Sequence, residues 1–105
     1  MIAAKMKKDY TRLVESAATL YIEMDKHNKK PSQIPTKFPV AVHFIVHEEN
    51  KRRDIDNVSA MVSKFCLDGL VNAGVLPDDS QKYVNKIECD LVVDDWVGVE
   101  IFIDE

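Results

Sequence analysis

The sequence predicts an α+β fold: a mixed β-sheet of about three strands packed by two helices, in the order α-β-α-β-β. Three observations point to it. In two stretches apolar residues recur at three- and four-residue steps, the mark of an amphipathic helix. In three others they alternate with polar residues, the mark of a half-buried strand. The succession strand, helix, strand calls for a crossover connection, and a further strand after it makes the sheet mixed.

Residues 4–26 form the first expected helix, with Met6, Tyr10, Leu13, Val14, Ala17, Leu20, Tyr21 and Met24 on one face and Lys7, Lys8, Arg12 and Glu15 mostly on the other. Residues 27–37 hold two prolines among polar groups and read as a loop. Residues 38–48 read as a strand in which Val40, Val42, Phe44 and Val46 share a face. A polar stretch, residues 49–54, turns the chain into a second helix over about residues 57–73. Val58, Met61, Val62, Phe65 and Leu70 mark its buried side, with Asp56 as N-cap and Gly74 as its stop. Pro77-Asp78-Asp79-Ser80 is a turn. Residues 83–93 and 97–104 read as strands, the first with Ile87, Cys89, Leu91 and Val93 aligned, the second with Val97, Val99, Ile101 and Ile103. Asp94-Asp95 and Gly98 suggest a hairpin between them.

A chain of 105 residues is one domain's worth, with a core small enough for self-association to matter. No apolar run approaches the roughly 20 residues that span a bilayer, and the start, MIAAKMKK, lacks the apolar core of a secretory signal. No membrane partner is expected. Cys66 and Cys89 stand far apart, which fits a reducing cytoplasm and argues against a disulfide scaffold or a structural zinc site. The net charge of −4 conceals a split: residues 1–53 carry 11 Lys/Arg against 6 Asp/Glu, residues 54–105 only 3 against 12. A basic half and an acidic half suit a protein that meets phosphates with one surface and cations with another, although solvated faces alone would look the same.

Chemistry concentrates in Arg52-Arg53-Asp54-Ile55-Asp56-Asn57. In extended chain, residues i and i+2 point the same way, so Asp54 and Asp56 are expected to converge. A second acidic pair, Asp78-Asp79, follows the second helix. In a strand–helix–strand unit the two connections lie at opposite ends of the helix, and spacing alone does not say whether the pairs meet. Carboxylates without His or Cys favour hard cations, Mg²⁺ or Mn²⁺, and such ions activate water and stabilise phosphoryl charge. Lys51, Arg52 and Arg53 would contact phosphate. Asp56 as a cap and Asp78-Asp79 as a turn account for the same residues without any ligand.

The run RRDIDN, with the later FCLDGLVNAGVLPDDSQKYV, resembles the RusA family of Holliday junction resolvases, closely over about residues 51–84 and more loosely beyond. In that family a basic D-x-D-N motif opens a helix carrying a lysine and an L-D-[AG]-L segment, and a D-D turn follows. The start AKMKK is similar to the Gram-positive and prophage branch. The resemblance implies a single RusA-like endonuclease domain over residues 1–105, a homodimer, and magnesium-dependent symmetric nicking of four-way DNA junctions in recombination and repair. By position, Asp54, Asp56 and Asp79 match the catalytic aspartates, with Asp78 beside them as a further metal ligand, and Lys64 matches the catalytic lysine. In the best-known form that lysine follows the second aspartate by one helical turn. Here it follows by eight residues, and counting back from Leu67-Asp68-Gly69-Leu70 restores it to the expected place.

Family members usually begin with a strand and a loop rich in Pro, Asn and basic residues, whereas this chain starts almost at its first helix. An edge strand and part of the DNA-contacting surface are therefore expected to be missing. A second reading follows: a catalytically weak or inactive RusA-like module that binds DNA or a partner protein. The first helix and the loop after it are the expected dimer contact. His43 and His47 share a strand face and read as sheet-surface residues, Trp96 as packing at the hairpin, and Cys66 as core.

Overall fold

The structure, a computed structural model, describes residues 2–5, 10–27, 34–51 and 54–105, with backbone alone at 3–5, 10 and 24–27. Its elements are β1 (Ile2–Lys5), α1 (Tyr10–His27), β2 (Val40–Glu48), α2 (Ile55–Asn72), β3 (Val84–Val93) and β4 (Gly98–Asp104). The α+β class, the two helices and the mixed sheet are those expected. The sheet has one strand more, in the order β1-β4-β2-β3.

That extra strand is the edge strand the sequence reading has missing. β1 pairs antiparallel with β4, Ile2 opposite Ile101 and Lys5 opposite Gly98, and Ile2 is buried. Four residues are too few to show alternation, and they run straight into a helical pattern, so the helix was expected to begin at residue 4. It begins at Tyr10. Met6, Lys7 and Lys8 lie outside the described residues, as do the side chains of Tyr10 and Met24.

α1 buries Val14 and Ala18, flanked by Ala17, Tyr21 and Ile22. Leu20, expected on this stripe, is 61% exposed. Two residues beyond Ala18, it lies roughly 200° around a helix of about 3.6 residues per turn. α2 buries Val58, Val62, Phe65, Cys66, Leu67, Gly69 and Leu70, while Met61, also expected inside, stands at its exposed edge. Gly74, at φ 84°, ends α2 in a Schellman arrangement: Val75 N–H donates to Leu70 O and Gly74 N–H to Val71 O. Val75 and Leu76 then plunge into the core and pin the turn that follows.

β2 is the centre of the sheet. Val40, Val42, Phe44 and Val46 all face the helices and are buried, as their alternation predicts. On one side β2 pairs parallel with β3, and on the other antiparallel with β4. The expected β3–β4 hairpin is therefore absent. Residues 94–97 instead pass over the end of β2, a span of two strand spacings, about 10 Å. The step is anchored by Asp94 N–H donating to Glu48 O at 3.0 Å. β2 is apolar enough to be paired on both sides, and a short connection can cross its end as readily as it can make a hairpin. Position also explains why Ile87 and Val93 are exposed although they share β3's helix-side face: β3 is an edge strand.

α1 approaches α2 closely at Gly69. A Cβ there would meet Val14 Cγ1 at 2.7 Å and the Thr11 carbonyl oxygen at 2.9 Å. Gly to Ala inside a helix ordinarily stabilises by about 0.5–1 kcal/mol. Overpacking against backbone costs about 1–3 kcal/mol and outweighs it. Gly69→Ala is expected to lower the unfolding free energy by a net of about 1–2 kcal/mol, read as a lower urea midpoint in equilibrium unfolding; an increase in stability would show that α1 shifts freely over α2.

Candidate active site

The acidic residues sort onto the two ends of α2. At its start, Asp54 holds the N-cap position in extended conformation (φ −75°, ψ 138°), and its carbonyl accepts from Val58 N–H at 3.1 Å. Its carboxylate makes no capping hydrogen bond. The cap was expected at Asp56, which instead lies within the first turn and accepts from the neighbouring Asn57 N–H at 3.0 Å. This displacement removes the premise on which the two were expected to converge. Ile55 and Asp56 are already helical, and residues two apart on a helix do not face each other. Both carboxylates are exposed, and each sits where the helix dipole favours negative charge.

Lys51 is exposed beside this end of the helix and lines a shallow groove of about 200 Å³ with Glu48, Asn50, Leu91, Val92 and Val93. Arg52 and Arg53 lie outside the described residues. Lys64 is exposed midway along α2, roughly 12 Å along the axis from Asp56 at about 1.5 Å per residue.

At the far end, Asp78 and Asp79 are exposed on the turn held down by Val75 and Leu76. They open onto a concavity of about 330 Å³ lined also by Thr11, Asp68, Val71 and Asn72. Asp68, beside which they lie, is roughly 18 Å along the axis of α2 from Asp56, so the two acidic pairs stand well apart. Among the described residues, no three of His, Cys, Asp or Glu come close enough to hold a metal ion. Asp68 and Asn72 were not singled out from the sequence. Their signal was present in the four-residue step from Lys64 to Asp68 to Asn72, which sets them along one side of the helix.

The two histidines differ more than their shared face suggests. His43 lies at the open face of the sheet, with Nε2 2.6 Å from Asp90 Oδ2. His47 is only 6% exposed. Its ring nitrogens lie 3.1 Å from Asp94 Oδ2 and 2.6 Å from Glu100 Oε1, and Trp96 stacks on its face at a centroid distance of 4.0 Å. The expectation of a surface residue holds for His43; His47 is instead the buried clamp of the β3–β4 connection. Trp96 packs, as expected, but against that clamp. Cys66 is fully buried, and burial pushes its thiol well above its ordinary range, with Cys89 adding to the effect. It is a core group and no nucleophile at neutral pH.

The structure is thus a layer of two helices on a mixed sheet, with exposed acids at both ends of the crossover helix and a lysine between them. The chain belongs to the endodeoxyribonuclease RusA family, whose model matches residues 1–104. No match was found among curated proteins or among solved structures. Among the described residues no helix is long and apolar enough to cross a membrane.

The clamp has a pH signature. The N–H of Asp95 and, to a lesser degree, His47 hold the Asp94 carboxyl below the usual carboxylate range. A lowered folded-state value means stability that is fully present above the unfolded value of about 3.9 and lost as pH falls through the folded one. Thermal unfolding of the wild type and Asp94→Asn should therefore differ most above the unfolded carboxylate value of about 3.9 and converge as acid takes the pH down through the folded one. A gap that stays constant across that range would show that the Asp94 charge contributes nothing.

Proposed function

We propose that this endodeoxyribonuclease is a Holliday junction resolvase: a homodimer that nicks four-way DNA junctions symmetrically, in the presence of Mg²⁺ or Mn²⁺, during recombination and repair in the cytoplasm. The observation that carries the proposal is the family match over residues 1–104, which spans the whole of the D-x-D-N, lysine and D-D arrangement. In this reading Asp54, Asp56 and Asp79 are the catalytic acids, with Asp78 beside them. Lys64 offsets charge developing on the phosphate, and Lys51, Arg52 and Arg53 grip the backbone of the DNA. A two-fold dimer presents two equivalent sites to two opposed strands, which suits the symmetry of a four-way junction.

Within one chain these residues do not fit a metal ion as a set. The carboxylates that would have to share it lie at opposite ends of α2, with no group of three among the described residues. What one chain supplies at the first end is an exposed acidic pair beside Lys51, able to position a phosphate and to repel it from the carboxylates until a cation is present. The same separation favours a second reading, a RusA-like module that binds junction DNA or a partner protein with little or no cleavage.

A labelled synthetic four-way junction, with and without Mg²⁺, separates the readings. Nicked product requires the enzyme, and a shifted band without product requires the module. In the first case Asp56→Asn should lower cleavage by at least about a hundredfold, about 2.7 kcal/mol of barrier, while junction binding is kept or strengthened because a charge facing phosphate is gone. Cleavage by the variant at the wild-type rate would remove Asp56 from the site.

A further inference from the structure

β3 is the long free edge of the sheet. Among the described residues β2 is its one strand neighbour, while the opposite edge, β1, has only four residues. We propose that β3 is a docking strand: an extended segment of another protein, with basic and aliphatic residues in alternation, adds beside it and lengthens the sheet.

Three observations lead to it. First, the backbone of β3 is presented for pairing. Asp94 N–H points inward, donating to Glu48 O. Backbone groups alternate in direction along a strand, so Ile87, Cys89, Leu91 and Val93 direct their N–H and C=O outward, away from β2. The register with β2 is regular over these residues. Second, the edge is unguarded. Edges are commonly kept short, bulged or broken by proline. β3 has ten residues and no proline, and its one register shift lies at its start, between Val84 and Lys86. On the helix side Ile87 is 43% and Val93 48% exposed. Leu91, Val92 and Val93 also line the groove of about 200 Å³ at the strand's end, a seat for an aliphatic side chain of the incoming segment.

Third, the neighbouring charge selects a cationic partner. The sheet face turned away from the helices carries Glu88 and Asp90 on β3 and Glu100 and Asp104 on β4, against Lys86. Glu88 meets Lys86 at 2.7 Å and Asp90 meets His43 at 2.6 Å, yet both carboxylates remain more than half exposed. Part of the acidic surplus of residues 54–105 is thus gathered beside the free edge, where it repels phosphate and attracts basic groups. A second copy of this chain fits the edge poorly. Laid antiparallel on its twin, β3 pairs most of its length only in registers centred on Glu88 or Cys89. The first sets Glu88 against its own counterpart, and the second sets Glu88 against Asp90 twice; like charges directly opposite are destabilising. A basic and aliphatic segment answers the same carboxylates and continues the apolar row of Ile87 and Val93.

Amide hydrogen exchange followed by nuclear magnetic resonance tests the docking strand. The probe is a synthetic peptide that alternates lysine and valine over about eight residues, a strand's length. It should slow exchange at Ile87, Cys89, Leu91 and Val93 by at least about tenfold and change the inward amides of Glu88, Asp90 and Val92 little. A peptide with glutamate in place of lysine should bind at least about tenfold more weakly at low salt. Ile87→Pro removes an outward donor but no bond to β2, and should abolish peptide binding with the far-UV circular dichroism unchanged. Should that variant not fold, a chain carrying both Glu88→Lys and Asp90→Lys, at exposed positions, should reverse the preference between the two peptides. No slowing at the four outward amides at saturating peptide, or equal binding of the two peptides, overturns the proposal. So does binding that either variant leaves unchanged. Protection of the same amides that grows with protein concentration in the absence of peptide assigns the edge to a second copy and overturns it as well.

Discussion

The parallel pairing of β2 with β3 is the constraint from which most of this molecule follows. Parallel neighbours cannot be joined by a turn, so the chain must travel the full length of the sheet between them, and α2 is that journey. Its two ends are consequently tied to opposite ends of the strands it joins. The groups placed at its start, Asp54 and Asp56, and those placed after its end, Asp78 and Asp79, are separated by the topology itself and not by any choice of side-chain conformation. The same pairing leaves β4 to take the other side of β2, and the four residues between β3 and β4 must cross the end of the central strand. His47 holds that crossing through its imidazole, on which the carboxylates of Asp94 and Glu100 and the ring of Trp96 converge.

Helix packing adds a second constraint. Gly69 lets α1 approach α2 so closely that Val14 and Thr11 occupy the space a side chain would need. α1 can therefore be held by a narrow stripe centred on Val14 and Ala18, and its other apolar residues are not required inside. That is why Leu20 is free to face solvent. It also directs the exposed side of α2 away from α1, which leaves the stripe from Asn57 to Asn72 available to other molecules.

Much of this was legible in the amino acids. β2 announces itself through the alternation of Val40, Val42, Phe44 and Val46, and all four are buried. α2 ends at the glycine that can take a positive φ, and Cys66 is in the core. What was not legible depends on partners remote in sequence. β1 is a strand only because β4 offers it an edge, and four residues carry no period of their own. The hairpin between β3 and β4 was a local inference about a connection whose geometry is set by β2. Asp54 and Asp56 were expected to align because the segment looked extended, but the helix begins two residues earlier than capping preferences suggested, with its cap at Asp54 in place of Asp56. The family was legible because its motif is a set of residue types in order, which survives whatever the topology does with them. The distance between the acid pairs was not, because order along a chain says nothing of which end of a helix faces which partner.

The spacing of Lys64 ties these points together. It lies eight residues beyond Asp56, two turns and roughly 12 Å along the helix axis, and four residues before Asp68, which lines the concavity with Asp78 and Asp79. Residues four apart stand one above the other on a helix, so Lys64 shares a side of α2 with Asp68 and Asn72 and leans toward the far acidic end more than toward the start. Had α2 been a turn shorter between Asp56 and Lys64, the lysine would stand over the first acids instead. The length of the crossover, which the parallel pairing of β2 with β3 demands, therefore decides which carboxylates this exposed amine can neighbour.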